Sequence, residues 1–293
     1  MMRPTTIDGM RRGLQGFATD EGIRRGLDYA PDATDVFISP YAKCGTTWMQ
    51  QIVHGLRSRG SMAFEEITEV VPWLELAHDM GMDVNAPQVA RPRAFKCHLS
   101  WDRIPKGGRY IIVFRDPIDA MISLYRFFEG WHFETGSIPL ADFAESFLER
   151  DHDQSYWGHA QSWWRQRGRP DVLMFAFEQI KRDLAGVVDR VADFLGGPID
   201  RKTRDLATFQ ASFEFMKRHG DKFDDHLVRQ TRDAACGLPQ GGVASKVDRG
   251  EAGRGAPFVT PDILDKFAAR WRQSMTAEFG LAAYDDLVRE LSR

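Results

Sequence analysis

A basic turn rich in hydroxyl groups follows a short apolar strand near the start of the chain. The strand is predicted over residues 36–38, and Lys43, Gly45, Thr46 and Thr47 come after it, at the start of a helical pattern. The first N–H groups of a helix point outward and carry partial positive charge, so they bind anions. The lysine adds a full charge, and the threonine hydroxyls can donate hydrogen bonds. These residues therefore predict a phosphate-binding loop.

The order of residues in this loop differs from that of the common nucleoside-triphosphate loop, G-x-x-x-x-G-K-[ST]. Here Lys43 precedes the glycine, and no glycine stands five residues before the lysine. Trp48 follows the threonines and suggests an aromatic partner for an adenine base. The alternative is a capped strand-to-helix turn with a buried tryptophan, which would explain the same residues without a ligand.

A second basic position ends a strand that is predicted to be buried on both faces. Residues 110–114 form the apolar run, and Arg115 follows it, with Ser123 eight residues later on the next predicted helix. An arginine fork binds a phosphate through paired hydrogen bonds. The alternative is that this arginine pairs with Asp116 or Asp119.

A histidine stands at the end of another short predicted strand. His98 comes two residues after Lys96. An imidazole with an ordinary pKa of about 6.5 can act as a general base near neutral pH. A lone histidine is more often structural, so these two residues alone leave both interpretations open.

The motifs together resemble those of the cytosolic-type sulfotransferases. Residues 43–48 resemble the 5′-phosphosulfate loop of that family, residues 114–123 its 3′-phosphate motif, and residues 96–99 its Lys-x-His-Leu segment. The weaker matches are residues 71–75, 155–164, 177–178, 212–217 and 249–253. The resemblance covers about residues 35–280 in the family's order.

The resemblance implies an enzyme that transfers a sulfuryl group from 3′-phosphoadenosine 5′-phosphosulfate (PAPS) to a hydroxyl and releases adenosine 3′,5′-bisphosphate (PAP). It implies His98 as the base, Lys43 at the leaving phosphate and Lys96 at the transferring group. The implied nucleotide contacts are Lys43, Cys44, Gly45, Thr46, Thr47, Trp48, Arg115, Ser123, Phe177, Phe213, Arg249 and Gly250. No metal is required, because the leaving group is already an anion held by basic side chains and backbone donors.

Four residues depart from the family's pattern. Cys44 stands where serine is usual, Phe177 where tyrosine is, Ala211 where threonine is and Asp248 where arginine is. The first change removes a hydroxyl donor near the phosphosulfate, so we expect that restoring serine would tighten nucleotide binding slightly. The last change places a negative charge beside the glycine-rich loop.

The acceptor pocket is expected to be largely apolar. Its candidate residues are Trp73, Leu76, Met80, Phe127, Phe128 and Trp131. Each of them is at least as often a core residue as a ligand contact. A phenol, a sterol-like alcohol or a lipid hydroxyl would fit such a pocket better than a sugar.

The elements that must position these residues alternate between strands and helices. This pattern predicts an α/β fold, a single domain over residues 1–293 with a mainly parallel central sheet flanked by helices and a P-loop-like phosphosulfate-binding loop. Residues 1–34 are expected to be a helical lead-in. Residues 237–257 form a glycine-rich basic stretch that is either a connector or, as the resemblance implies, a loop that covers the nucleotide.

Length, charge and cysteine content narrow the class of protein. The chain has 293 residues and a net charge of −3, so broad electrostatic binding to nucleic acid is not expected. Its three cysteines are too scattered for a disulfide framework or a zinc site. No apolar run approaches the roughly 20 residues that cross a bilayer, and the N-terminus lacks a signal-type apolar core. We expect a cytoplasmic protein without a membrane span, acting on a small-molecule or lipid hydroxyl.

Two other functions fit parts of the pattern. A nucleotide kinase-like P-loop phosphotransferase would favour a lysine after the glycine and a magnesium-binding aspartate, and neither is evident. A non-catalytic nucleotide-binding protein of the same descent would be favoured by loss of Lys43 or His98, and both residues are present.

Overall fold

A computed structural model describes residues 2–240 and 259–292 of the chain. Within these ranges the strands are β1 (Val36–Ile38), β2 (Ala94–Lys96), β3 (Arg109–Phe114) and β4 (Val172–Ala176). The α-helices, in chain order, are α1 (Ile7–Leu14), α2 (Asp20–Leu27), α3 (Thr46–Arg57), α4 (Ile67–Val70), α5 (Pro117–Phe128), α6 (Leu140–Leu148), α7 (Tyr156–Trp164), α8 (Phe177–Arg182), α9 (Leu184–Leu195), α10 (Arg201–Gln210), α11 (Phe213–Arg218), α12 (His226–Arg232), α13 (Pro261–Trp271), α14 (Ala277–Phe279) and α15 (Tyr284–Leu291). A 3₁₀ helix (Gly220–Phe223) precedes α12, and a π-helical turn (Arg272–Thr276) joins α13 to α14.

The four strands form one sheet in the order β2-β1-β3-β4. Every neighbouring pair is parallel, with Val36 opposite Ala94 and opposite Arg109, and Tyr110 opposite Val172. Parallel neighbours need crossover connections, and the helices between the strands supply them. The α/β fold with a mainly parallel sheet is therefore confirmed.

Side chains alternate across the sheet and build a separate core on each face. On one face Phe37 stacks on Phe95 and on Tyr110, with 5.6 Å between ring centroids in both pairs. On the other face Val36 and Ile38 pack in a second cluster with residues of α3 and α9. Residues of α5, α7 and α13 belong to the first cluster. Because both faces are covered, the strands are mostly apolar, and the charged residues Lys96 and Arg109 stand at strand ends.

The carboxyl ends of the strands meet at one edge of the sheet. The turn with Lys43 follows β1, His98 lies two residues beyond β2, Arg115 follows β3 directly, and Phe177 follows β4 directly. In open α/β sheets this edge is where ligands bind. The parallel order therefore brings together side chains that are up to 134 residues apart in the sequence, from Lys43 to Phe177.

Two helices, α1 and α2, occupy the segment predicted as a helical lead-in. Most of the predicted nucleotide-covering loop lies outside the described residues, including Arg249, Gly250 and Asp248. Across residues 2–240 and 259–292, no helix is both long enough and apolar enough to span a bilayer.

Candidate active site

The turn between β1 and α3 has the backbone of an anion-binding loop. Lys43 and Gly45 both adopt left-handed conformations, with φ of 67° and 99°. A Cβ on Gly45 would lie 3.3 Å from Cδ2 of Phe177, so both the positive φ and the close ring favour glycine. Gly45 is also the N-cap residue of α3, and no side chain caps this helix. The first N–H groups of α3 are thus left without a side-chain cap at the end of the helix that attracts anions.

The side chains of this loop divide between the ligand side and the core. The Thr46 hydroxyl is buried and has no hydrogen-bond partner among the described residues, whereas Thr47 is half-buried. A buried hydroxyl without a partner costs about 1–3 kcal/mol, a cost that a phosphate oxygen within reach would offset. Cys44 is 1% exposed and lies in the core, with its Sγ 3.8 Å from the carbonyl oxygen of Ala42. Burial raises the pKa of this thiol to about 12, so it is neutral.

The burial of Cys44 changes what the sequence led us to expect of it. Its side chain packs with the core cluster on one face of the sheet. Any contact of this residue with a nucleotide is therefore left to its backbone. The expected gain from a serine hydroxyl at this position loses its basis.

Arg115 braces the loop from the end of β3. Its Nη1 donates to the carbonyl oxygen of Lys43 at 3.0 Å, and its guanidinium carbon lies 4.4 Å from the centroid of the Phe177 ring. The hydroxyl of Tyr156 donates to the carbonyl oxygen of Arg115 at 2.6 Å and fixes the backbone there. Ser123, half-buried, lies on α5. The structure thus brings Arg115 to the turn that follows β1, where the sequence predicts a phosphate-binding loop.

Aromatic side chains cluster beside the turn between β1 and α3. The rings of Trp48 and Phe177 meet edge to face, with 5.6 Å between centroids. Trp48 Nε1 donates to the carbonyl oxygen of Ala211 at 2.7 Å. Phe213 begins α11 two residues after that carbonyl, where the Ser212 hydroxyl caps the helix. The hydrogen bond ties the loop to the segment that carries the third aromatic residue predicted to contact the nucleotide.

His98 is held in one tautomer. Its Nδ1 lies 2.8 Å from the carbonyl oxygen of Pro40, and a carbonyl can only accept a hydrogen bond. In the neutral imidazole the proton is therefore on Nδ1, and the lone pair is on Nε2. The backbone N–H of His98 donates to Glu75 Oε1 at 2.9 Å, and the Trp73 ring meets the imidazole edge to face at 5.2 Å. The histidine is thus fixed at its backbone and at its ring.

The two lysines predicted to act on the reacting group lie in different surroundings. Lys43 Nζ is 3.8 Å from the centroid of the Phe127 ring, and its residue is half-buried. Lys96 is only 2% exposed, with its Nζ 3.6 Å from the centroid of the Trp73 ring and 3.8 Å from Oδ1 of Asp225. The charge of Lys96 is therefore paired with a buried carboxylate beneath the indole.

A cavity of about 320 Å³ lies beside His98. Of the predicted acceptor residues, Trp73, Leu76 and Phe128 line it, together with His98 itself. Met80, Phe127 and Trp131 are not among its lining residues. Trp131 is 2% exposed, and its Nε1 donates to Oδ1 of Asp233 at 2.8 Å, in a small cluster of its own.

The same cavity is lined by polar residues that the sequence did not single out. They are Tyr41, Glu75, Arg103, Arg150 and Gln154. Burial raises the pKa of Glu75 to about 7. Glu75 could have been noticed, because it stands inside residues 71–75, which match a segment of the family, whereas Tyr41 stands two residues before the loop match of residues 43–48. Arg150 and Gln154 stand in a charged stretch between two helices, which has no periodic signal.

The fold and the site together describe an α/β protein in which a helix N-terminus without a side-chain cap lies near a cavity that is lined by a histidine. The model of the Sulfotransferase domain matches residues 33–279, and the chain belongs to this family. The prediction of a sulfotransferase is thereby confirmed at the level of the family.

Known relatives resemble the chain over most of its length. It is 26% identical to human Sulfotransferase 1C2 over 234 residues, which cover 75% of this chain and 73% of the relative. It is 31% identical to the rabbit (Oryctolagus cuniculus) Amine sulfotransferase over 193 residues, 62% of this chain and 63% of the relative. It is 28% identical to Luciferin sulfotransferase of Photinus pyralis over 217 residues, 64% of this chain and 57% of the relative.

Solved structures share the fold at lower identity. Mouse sulfotransferase SULT7A1, crystallised with PAP, has a TM-score of 0.68 at 18% identity, with 94% of each chain covered. Retinol dehydratase, crystallised with androsterone and the inactive cofactor PAP, has a TM-score of 0.68 at 20% identity. That comparison covers 90% of this chain and 85% of the other.

Proposed function

We propose that this protein transfers the sulfuryl group of PAPS to a hydroxyl of an apolar small molecule or lipid. The observation that carries the proposal is the convergence at one sheet edge of a helix N-terminus without a side-chain cap, Lys43 and a buried Thr46 hydroxyl that has no hydrogen-bond partner among the described residues. Beside them lies a histidine whose Nδ1 is held by the carbonyl oxygen of Pro40. Two proteins with the same fold were crystallised with PAP, which supports the choice of nucleotide.

The residues of the site fit the nucleotide. Lys43 and the first N–H groups of α3 would hold the 5′-phosphosulfate. Arg115 would hold the 3′-phosphate with Ser123, together with Arg249 and Gly250 of the segment outside the described residues. Trp48, Phe177 and Phe213 would enclose the base. Bound PAPS supplies an activated sulfuryl group on an anionic leaving group.

His98 would take the proton of the acceptor hydroxyl at Nε2. Its Nδ1–H already donates to the carbonyl of Pro40, so the imidazolium that forms keeps a hydrogen bond that strengthens with its charge. Lys43 stabilises the negative charge that develops on the leaving phosphate. Lys43 is positioned for its role by the turn after β1, and His98 is positioned for its role by the end of β2.

Lys96 could contact the transferring group only after a change in its side-chain conformation. Its ammonium group is paired with Asp225 and covered by Trp73. To steady the transferring group it must turn away from Asp225. Even without that movement, Lys96 orients the Trp73 ring, which contacts His98 and lines the acceptor cavity.

The acceptor would lie in the cavity beside His98. Trp73, Leu76 and Phe128 supply apolar walls, and Phe127 lies below the Lys43 ammonium at the side of the loop. Met80 and Trp131, which do not line the cavity, remain proposed contacts only for a longer acceptor. A cytoplasmic location belongs to the proposal and is supported by three buried cysteines that form no disulfide, as a reducing compartment favours.

A labelled-donor assay tests the proposal. The protein is incubated with a panel of phenols and either ³⁵S-labelled PAPS or γ-³²P-labelled ATP. We expect ³⁵S in a product and no ³²P, and Lys43→Ala should slow sulfation by about 10²–10³-fold, the usual cost of one stabilising group at a developing anion. Lys181→Ala, at an exposed lysine on α8, is the matched control. Transfer of ³²P instead of ³⁵S would assign the chain to the phosphotransferases.

A further inference from the structure

Two arginines line the proposed acceptor cavity without an acidic partner. Arg103 and Arg150 both belong to its lining, and neither forms an ion pair with any described residue. An arginine kept at a cavity without a carboxylate is available to bind an anion that enters it.

The segments that carry the two arginines are joined by a fixed amide. Gln154 Nε2 donates to Ser100 Oγ at 2.7 Å, and the N–H of Ser100 donates back to Gln154 Oε1 at 3.2 Å. Ser100 stands three residues before Arg103, and Gln154 stands four residues after Arg150. These two hydrogen bonds hold the turn after β2 against the segment after α6. The two backbone segments from which the arginines reach the cavity are therefore held together without a ligand.

Arg150 is the better placed of the two. It is half-buried, whereas Arg103 is exposed. Arg150 also lies at the hydroxyl of Tyr41, where burial raises the pKa of the phenol and the guanidinium opposes that rise. The phenol thus stays neutral and can donate a second hydrogen bond to an anion that Arg150 attracts. Arg103 adds charge nearer to solvent.

Two other residues of the cavity contact His98. Glu75 accepts the backbone N–H of His98, and Trp73 packs against the imidazole ring. An acceptor hydroxyl would be deprotonated at His98, and the cavity volume of about 320 Å³ is at the small end of ligand sites. A compact acceptor would therefore contact both the histidine and the arginines.

We propose that the acceptor carries a carboxylate in addition to the hydroxyl that is sulfated, and that Arg150, assisted by Arg103, binds this carboxylate. The proposal rests on the proposed function, because it names the substrate class of the same site. The proposal predicts that the preferred acceptors are hydroxy acids with a compact aryl or alkyl skeleton, and that neutral phenols and sterols are poorer acceptors.

A matched pair of acceptors tests the inference. The acid is 3-(4-hydroxyphenyl)propanoate, and its neutral counterpart is the corresponding amide. We expect the acid to be favoured in kcat/KM by about tenfold or more, the effect of one charge-assisted hydrogen bond. Arg150→Met should remove most of that preference by raising KM for the acid, with little change in kcat, because the arginine does not touch the reacting atoms. Arg150→Lys should keep part of the preference.

Two controls separate a specific effect from a damaged fold. Arg272→Met, at an exposed arginine that does not line the cavity, should change neither acceptor's kinetics. The Arg150→Met protein should have the same melting temperature as the wild type. Arg103→Met should give the same selective loss as Arg150→Met, but a smaller one.

Direct binding distinguishes failure of this inference from failure of the proposed function. The acid is titrated calorimetrically into the protein saturated with PAP. If the amide is sulfated as well as the acid and Arg150→Met changes neither, the inference is wrong and the sulfotransferase function stands. If neither compound is sulfated but the acid binds in an Arg150-dependent way, Arg150 does bind carboxylates, and the proposed sulfation of this class of acceptor is wrong. If the acid neither binds nor reacts, the inference is wrong.

Discussion

Glu75 makes the stability of the protein depend on pH near neutrality. Its carboxylate accepts the N–H of His98, and burial raises its pKa from an ordinary 4.5 to about 7. The folded protein therefore binds this proton more tightly than the unfolded chain does. The associated stabilisation is fully present below about pH 4.5 and is lost as the pH rises through about 7.

The size of the effect follows from the two pKa values. The gap between 4.5 and about 7 corresponds to about 3 kcal/mol of unfolding free energy, at 1.36 kcal/mol for each pH unit. Glu75→Gln keeps a carbonyl oxygen that can accept the His98 N–H and carries no charge at any pH. Relative to the wild type, the variant should gain about 2–3 kcal/mol between about pH 5 and pH 8.5.

Urea unfolding at a series of pH values measures this difference. The free energy of unfolding is taken from the linear dependence on urea concentration for the wild type, Glu75→Gln and Glu290→Gln. Glu290 is an exposed glutamate on α15, so its variant should follow the wild-type pH profile. Parallel profiles for the wild type and Glu75→Gln would refute the assignment of a buried, proton-binding carboxyl beside His98.

Three further substitutions test the nucleotide site. Cys44→Ser should change PAP affinity by less than about threefold and lower stability by about 1 kcal/mol, because the side chain faces the core; tighter binding in calorimetry would show that the side chain reaches the ligand. Gly45→Ala should weaken PAP binding by about tenfold or more and lower the melting temperature, since alanine at φ 99° costs about 1–3 kcal/mol; unchanged affinity and melting temperature would contradict the loop geometry. Arg115→Ala should erase a preference of about tenfold or more for PAP over adenosine 5′-phosphate; a preference that survives would place the 3′-phosphate elsewhere.

The positions of the site residues at strand ends could be predicted from the sequence. Short apolar runs mark strands buried on both faces, and the residues after them, such as His98 and Arg115, must then lie at one edge of a parallel sheet. Asp116 was also predictable as the N-cap of α5. Its carboxylate accepts the N–H groups of Ile118 and Asp119, as a capping aspartate before proline should.

The roles of side chains in packed regions could not be predicted. By residue type Trp131 fits an apolar cavity as well as Trp73 does. Only the tertiary structure shows that its indole N–H donates a hydrogen bond to Asp233, which is 102 residues away. The same holds for Lys96, because its partner Asp225 comes from a turn far along the chain. Pairings of this kind depend on long-range contacts, for which local sequence pattern has no signal.

The acceptor cavity was the least predictable part. Three of its apolar members, Trp73, Leu76 and Phe128, were predicted by residue type, whereas Phe17, Ile23, Leu99 and Leu124 were missed. Arg150 and Gln154 come from a polar connection after α6. Loops of this kind often hold functional residues, but they have no periodic hydrophobic pattern from which those residues could be recognised. Glu75 was visible as a residue of a family segment, but its raised pKa arises from burial, which the sequence does not display.

The most direct test of the account is the rate of a single turnover with saturating PAPS and a reactive phenol. The central claim is that His98 takes the proton of the acceptor's hydroxyl group, whereas other residues hold the sulfuryl donor, PAPS. His98→Ala should slow transfer by about 10²–10⁴-fold while its PAP affinity stays near the wild-type value. His78→Ala, at an exposed histidine, should transfer at the wild-type rate. A His98→Ala protein that sulfates the phenol as fast as the wild type would contradict the account.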